Sequence, residues 1–200
     1  MIRQEEIALV INSQRETFLK QDTGFTRDAL VDIPIADSFA TIITGIRRCG
    51  KSTLLLQLLR RDYQDAIYLN FDDIRLSGFE ISDFMRLHRE IEKRKINVLF
   101  FDEIQIVKGW EQYINQLLRE NYKVFITGSN ASMLSIELGT HLTGRHLSME
   151  LFPFSYWEFI KFKTLENGEN AILDYLNLGG IPEYIKTGIS VVLNALVDDI

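Results

Sequence analysis

At 200 residues, 46% of them hydrophobic and 25% charged, the chain is long enough to bury a full core and has the composition of an ordinary globular protein. No apolar run approaches the ~20 residues of a membrane-spanning helix, and the acidic start before the brief Ile7 to Ile11 stretch is no secretory signal, so a cytoplasmic protein is expected. A net charge of -6 argues against a whole-surface nucleic-acid binder, and a single cysteine excludes an internal disulfide framework.

Ile7, Val10, Ile11 and Phe18 recur at near-helical spacing, which predicts an amphipathic helix over residues 4 to 20, before a looser connection from Gly24 to Asp37. Phe39 to Thr44 is β-branched and mostly apolar, as a strand buried on both faces should be, and runs straight into a glycine loop. A helix follows from Lys51 with Leu55, Leu58 and Leu59 on one face. Later strand-like runs are Ala66 to Phe71, Asn97 to Phe101 and Lys123 to Thr127. Between them lie two amphipathic helices, one turning Ile81, Phe84, Met85, His88 and Ile91 inward, the other Trp110, Tyr113, Ile114, Leu117 and Leu118. A fifth strand is expected over His146 to Leu151. Beyond Phe154 the pattern is helical, with breaks at Asn167-Gly168 and Gly179-Gly180-Ile181-Pro182, and Val191 to Ile200 reads as an amphipathic helix without a stop signal, as in the front part of a longer protein. Alternating strands and helices predict an α/β fold: a mostly parallel sheet covered on both sides, with ligands at the strands' carboxyl ends. Three parts follow: residues 1–38 as helix and connection, 39–151 as the core, and 152–200 as a helical lid.

The chemistry concentrates in two places. Gly45-Ile46-Arg47-Arg48-Cys49-Gly50-Lys51-Ser52 has the Gly-x-x-x-x-Gly-Lys-Ser spacing of a phosphate loop. Its glycines let backbone N–H groups turn inward around an anion, and the following helix offers its positive end to the same charge. ATP is the expected ligand, with Gly45, Arg48, Cys49, Gly50, Lys51, Ser52 and Thr53 around it. Lys51 would reach the β- and γ-phosphates and Ser52 would bind Mg²⁺. Cys49 has no second thiol and reads as a small filler. The second place is the end of the run Val98 to Phe101, where Asp102 is placed to hold the metal's water shell and Glu103 to polarise an attacking water.

Other polar residues at strand ends have competing readings. Asn70, Ser129 and Asn130 are positioned to orient the water or the γ-phosphate, and Ser129 or Asn130 equally suits a helix N-cap. Asp72 and Asp73 suit a solvated loop. Arg145 suits either stabilisation of transition-state charge or a structural ion pair. The basic cluster from Arg86 to Lys95 is interleaved with Glu90 and Glu92 and reads as a solvated helix face, which leaves only weak support for nucleic acid. The histidines have no zinc-like partners.

With these residues in hand, the chain resembles the bacterial and archaeal AAA+ superfamily ATPases in which an N-terminal ATPase domain precedes a domain of unknown function and, often, a nuclease-like end. The resemblance runs from about Thr41 to Tyr184 and rests on Thr44 to Thr53, Leu69 to Leu76, Phe101 to Gln105 with Trp110-Glu111, Thr127 to Ala131, Leu142 to Arg145, Leu151 to Ser155 and Gly179 to Glu183. It implies the strand order 5-1-4-3-2, Asp102 and Glu103 as the acidic motif, Ser129 or Asn130 as first sensor, Arg145 as an arginine finger, Asn70 as a switch for Glu103, and Pro182 of Gly180-Ile181-Pro182 against the adenine. The chain departs from the pattern after Pro182, where no arginine follows to serve as a second sensor.

Three functions compete on this reading: an ATPase that drives an attached module, a nucleotide-gated switch or scaffold with little turnover, and a kinase, the last weakened by an acid directly after the metal aspartate. A homo-oligomer and an unidentified protein client are compatible with the first two.

Overall fold

Strands β1 (Ala40–Thr44), β2 (Ile67–Asn70), β3 (Val98–Asp102), β4 (Lys123–Thr127) and β5 (His146–Glu150) form one parallel sheet in the order β2-β3-β4-β1-β5. This is the expected 5-1-4-3-2 order read from the other edge. The structure is a computed structural model, and it describes residues 1–128, 144–190 and 193.

Successive side chains of a strand point to opposite faces, and here each face has its own core. Ile42, Leu69, Leu99, Phe101, Val124 and Ile126 face one side, which is covered by α1 (Gln4–Lys20), α3 (Phe84–Arg94) and α4 (Trp110–Arg119). Ile43, Tyr68, Phe100 and Phe125 face the other, against the leucines of α2 (Lys51–Asp62). Because β1 is buried along its whole length, its β-branched sequence needs no alternation.

Helix α1 also seals the β2 edge. Gln14 donates from Nε2 to the Asn70 carbonyl at 3.1 Å and accepts from the Asn70 N–H at 2.8 Å, so one amide side chain satisfies backbone groups that an edge would leave open. Further along the helix, Phe18 stacks on Tyr68 on the opposite face.

One expectation fails in α3. Ile81 and Met85 are 48% and 64% exposed, while Phe84, Leu87, Glu90 and Ile91 are buried. A 3-10 turn at Ile81–Asp83 precedes the helix, so the periodicity starts at Phe84 and its phase is reset. The buried Glu90 is matched by Arg94, whose Nε donates to it at 2.9 Å.

After β5 the chain forms α5 (Tyr156–Lys163), α6 (Glu169–Leu178) and α7 (Pro182–Thr187) around a smaller cluster of Phe154, Phe159, Ile160, Ala171 and Ile185. The breaks at 167–168 and 179–182 fall between these helices, as their glycines predict. Ser155 caps α5 reciprocally with Glu158, each accepting the other's backbone N–H. The suggested helix over 191–200 lies outside the described residues except for position 193. Among the described residues no helix is long and apolar enough to cross a membrane.

Candidate functional site

The loop from Gly45 to Gly50 leaves the carboxyl end of β1 and enters α2 at Lys51, as the phosphate-loop reading requires. Gly45 and Gly50 have φ of +139° and +100°, and a Cβ at Gly45 would collide with the Leu151 carbonyl. Arg48 is also in the left-handed region, at φ +64°. Lys51 is 5% exposed, and its Nζ donates to the carbonyls of Gly45 and Ile46 at 2.9 and 3.0 Å, so the loop's own oxygens hold the ammonium. Ser52 is exposed at the first turn of the helix. Cys49 is fully buried, and burial pushes its thiol above the ordinary value, which fits the filler reading.

At the end of β3 the adjacent acids part company. Asp102 is fully buried and accepts hydrogen bonds from the Tyr68 phenol at 2.8 Å and from the Thr127 hydroxyl. Burial and the neighbouring Asp102 charge push the Tyr68 phenol upward, which keeps it a donor. Glu103 is half-buried at φ +55° and accepts from the Gln105 amide. A bulky residue in the left-handed region costs on the order of 1–2 kcal/mol, and such strain is found where a side chain is being aimed. Glu103 lines the cavity beside the loop.

That cavity, about 580 Å³, is lined by Arg48, Gly50, Lys51, Ser52, Thr53, Glu103 and Pro182. Gly45 and Cys49 shape the loop from behind, since both are buried. Asn70 pairs with Asp102 in the β2–β3 register but opens onto a neighbouring recess with Tyr68 and Asp72, and its Oδ1 accepts the Asp72 N–H at 2.8 Å. Arg145 is exposed, and its carbonyl accepts the Ala40 N–H at 3.1 Å, so it stands at the amino end of β1. At ~3.3 Å per residue, the length of β1 puts it roughly 17 Å from the start of its own phosphate loop. Ser129 and Asn130 lie outside the described residues.

Sequence reasoning missed one wall of the cavity. The segment from Gln21 to Arg27, which runs into the connection read as loose from Gly24 to Asp37, lines it together with Phe154 and Phe162. Gln57 pins this segment by donating to the carbonyls of Thr23 and Phe25 at 3.0 and 2.7 Å and accepting the Arg27 N–H at 3.2 Å. Phe25 meets the rings of Phe154 and Phe162 edge-on at 5.5 and 6.2 Å. Arg27 forms a buried ion pair with Glu158 at 2.8 Å. The only local trace of it is the Ser155-x-x-Glu158 capping pattern, which says nothing of Arg27. At the mouth, Arg48 of the loop pairs with Glu183 of α7 at 3.0 Å.

Comparison with known proteins fits this geometry. The family model for the AAA domain matches residues 37–160. An uncharacterized protein of Methanocaldococcus jannaschii is 36% identical over 76% of this chain and 38% of its own length, and one of Haemophilus influenzae is 34% identical over 86% and 44%. The chain thus spans less than half the length of the curated relatives it matches. A solved complex of yeast Hsp104 with casein, at 20% identity and a TM-score of 0.55 over 75% of this chain and 31% of that one, shares the fold. Strand order, phosphate loop and family match agree: the chain belongs to the AAA domain family and carries an ATPase-type nucleotide-binding domain of the AAA superfamily.

Proposed function

We propose that this chain binds ATP with Mg²⁺ in the cavity between the phosphate loop and the segment after β5, and hydrolyses it to drive a conformational change in an attached module. The observation that carries the reading is the convergence of Lys51, Ser52, Glu103 and an aromatic wall of Phe25, Phe154 and Phe162 on one cavity. Its volume suits a nucleotide.

On this reading Lys51 exchanges the loop carbonyls for phosphate oxygens, and the Phe25 wall with Pro182 takes the base. Ser52 and Asp102 would hold Mg²⁺. Asp102 is fully buried and is not among the residues lining the cavity, but each of its oxygens accepts one hydroxyl hydrogen and keeps lone pairs, the donor chemistry an ion's water shell takes. Bound there, the ion would neutralise phosphate charge. Glu103 takes the proton of the attacking water, with Asn70 and Ser129 or Asn130 orienting water or phosphate. The distance of Arg145 from its own loop favours action on ATP held by a neighbouring subunit of a homo-oligomer. We place the protein in the cytoplasm, acting on a protein client, with the helices after residue 152 serving as a lid.

The test is a melting experiment with ATP and Mg²⁺, which stabilise a native state that binds them. Melting temperature should rise for the parent and not for Lys51→Ala, and an equal response removes the phosphate-loop assignment. Glu103→Gln should keep the shift and lower phosphate release ~100-fold, as loss of a general base does. Binding without measurable release in the parent would select the second reading, a nucleotide-gated switch.

A further inference from the structure

Arg27 has more partners than an ion pair needs. Its Nε donates to Glu158 Oε1 at 2.8 Å, Nη1 to the Cys49 carbonyl at 2.7 Å and Nη2 to the Phe152 carbonyl at 2.8 Å, and the guanidinium lies 4.9 Å from the centre of the Phe154 ring. Glu158 also accepts from the backbone N–H groups of Ser155 and Asp28, both at 3.0 Å. The two side chains are only 4% and 5% exposed. One guanidinium therefore joins the connection before β1, the phosphate loop and the start of the helical segment.

The bond to Cys49 has a geometric consequence. In a planar trans peptide the carbonyl and the following N–H point in opposite directions. Holding the Cys49 carbonyl on the Arg27 side fixes the Gly50 N–H on the other. Gly50 and Arg27 both line the cavity, and a Cβ on Gly50 would sit 3.3 Å from Arg27 Nη1, so the guanidinium packs directly against the loop. Glycine is also the residue at which a peptide turns over most easily, because both signs of φ are open to it. A turned peptide would aim the carbonyl, a negative dipole end, at the phosphate position.

We infer that Arg27 is a positioning residue for the phosphate loop: its grip on the Cys49 carbonyl keeps the Gly50 N–H facing the phosphates, and Glu158 ties that grip to α5. The inference rests on the nucleotide reading above and adds to it a link between loop shape and the helical segment. Movement of α5 changes phosphate affinity through Arg27, with no contact between α5 and the phosphates.

The test is titration with a fluorescent ADP analogue beside melting without nucleotide, for the parent, Lys51→Ala, Arg27→Lys and the double variant Arg27→Met with Glu158→Gln. The double variant removes both charges, so neither is left buried alone. A lysine has one nitrogen for the positions that the guanidinium fills with three. Both Arg27 variants should melt cooperatively and bind the analogue ~10-fold or more weakly, the loss of one charge-assisted contact and the dipole behind it. Adenosine, which has no phosphate for Gly50 to face, should compete equally well in parent and variants. A role in stability alone would lower the melting temperature and leave the dissociation constant unchanged, and that result overturns the inference, as does an equal loss of adenosine. If neither Arg27 variant folds, the isosteric Glu158→Gln carries the test with a ~3-fold loss expected from a loosened grip, and unchanged affinity overturns it. A parent that binds no nucleotide overturns the nucleotide reading and this inference together. A parent that binds, with Lys51→Ala silent and the Arg27 variants normal, overturns this one alone.

Discussion

Helices α4 and α6 have ten residues each, yet α4 buries Trp110, Glu111, Tyr113, Ile114, Leu117 and Leu118 whereas α6 buries Ala171 alone. One lies on a sheet that is covered on both faces, the other in a small cluster that leaves Ile172, Leu173 and Leu176 at 46%, 51% and 72% exposure. Apolar burial holds the sheet. The helical segment is joined to it by directional polar links, chiefly the buried Arg27 with Glu158 and Phe152, beside the exposed pairs Arg48–Glu183 and Lys161–Asp28. Burial is proportional to area and indifferent to small displacements, while hydrogen bonds are switched by them. The cavity is therefore walled by a stiff side and an adjustable one.

The largest test of this contrast is Phe100→Ala. Phe100 is fully buried and stacks on Phe125 at 4.5 Å in the middle of the sheet. Its loss should cost ~3–5 kcal/mol, read from the midpoint of chemical unfolding. Phe159→Ala, an equally buried ring in the helical cluster, should fall at the low end of that range, ~3 kcal/mol, because a small cluster collapses more easily around the gap. Its first sign should be protease cleavage between 156 and 187 before the sheet unfolds. Equal costs and a single cooperative transition would show that the two regions are one unit.

Acid should separate them next. Burial tends to raise the Glu158 carboxyl, but hydrogen bonds from Arg27 and from the Ser155 and Asp28 amides win and hold it below its ordinary 4.5. A carboxyl depressed in the folded state adds stability above its unfolded value, and that stability is lost as pH falls through the folded value. Asp73, at the sheet edge, is held down mainly by Arg75, from a lower starting value of 3.8. Acidification below about 4.5 should thus loosen the helical segment first, seen as cleavage within it while sheet circular dichroism persists. The smallest effect belongs to Arg48→Ala. Its pair with Glu183 is 36% and 45% exposed, and surface pairs contribute ~0–1 kcal/mol, so the melting temperature without nucleotide should hardly move.

The same division decides what was legible in the sequence. The central strands were readable because burial on both faces leaves a run such as Ala40 to Thr44 mostly β-branched and without a charged residue. The phosphate loop was readable because its chemistry is contiguous. On the inward face of α3, Phe84 and Ile91 were readable, but the exposure of Ile81 and Met85 was not, since the 3-10 turn before the helix leaves no glycine or proline to mark its start. Nor was Arg27, whose partner lies 131 residues away and whose role depends on a carbonyl, a group that every residue has. The start of the connection at Gly24 reads as loose for the same reason. Its order is imposed by Gln57, an amide in the middle of an otherwise leucine-rich helix.

Cys49 gives this arrangement a built-in clock. It is the only cysteine of the chain, it is fully buried, and alkylation requires both the thiolate and access. Its thiol can be modified only when the structure around the phosphate loop opens, so the rate of a single mass increment under excess iodoacetamide reports such openings without any engineered label. Adding nucleotide, or changing the residue at 27, should alter that rate in opposite directions.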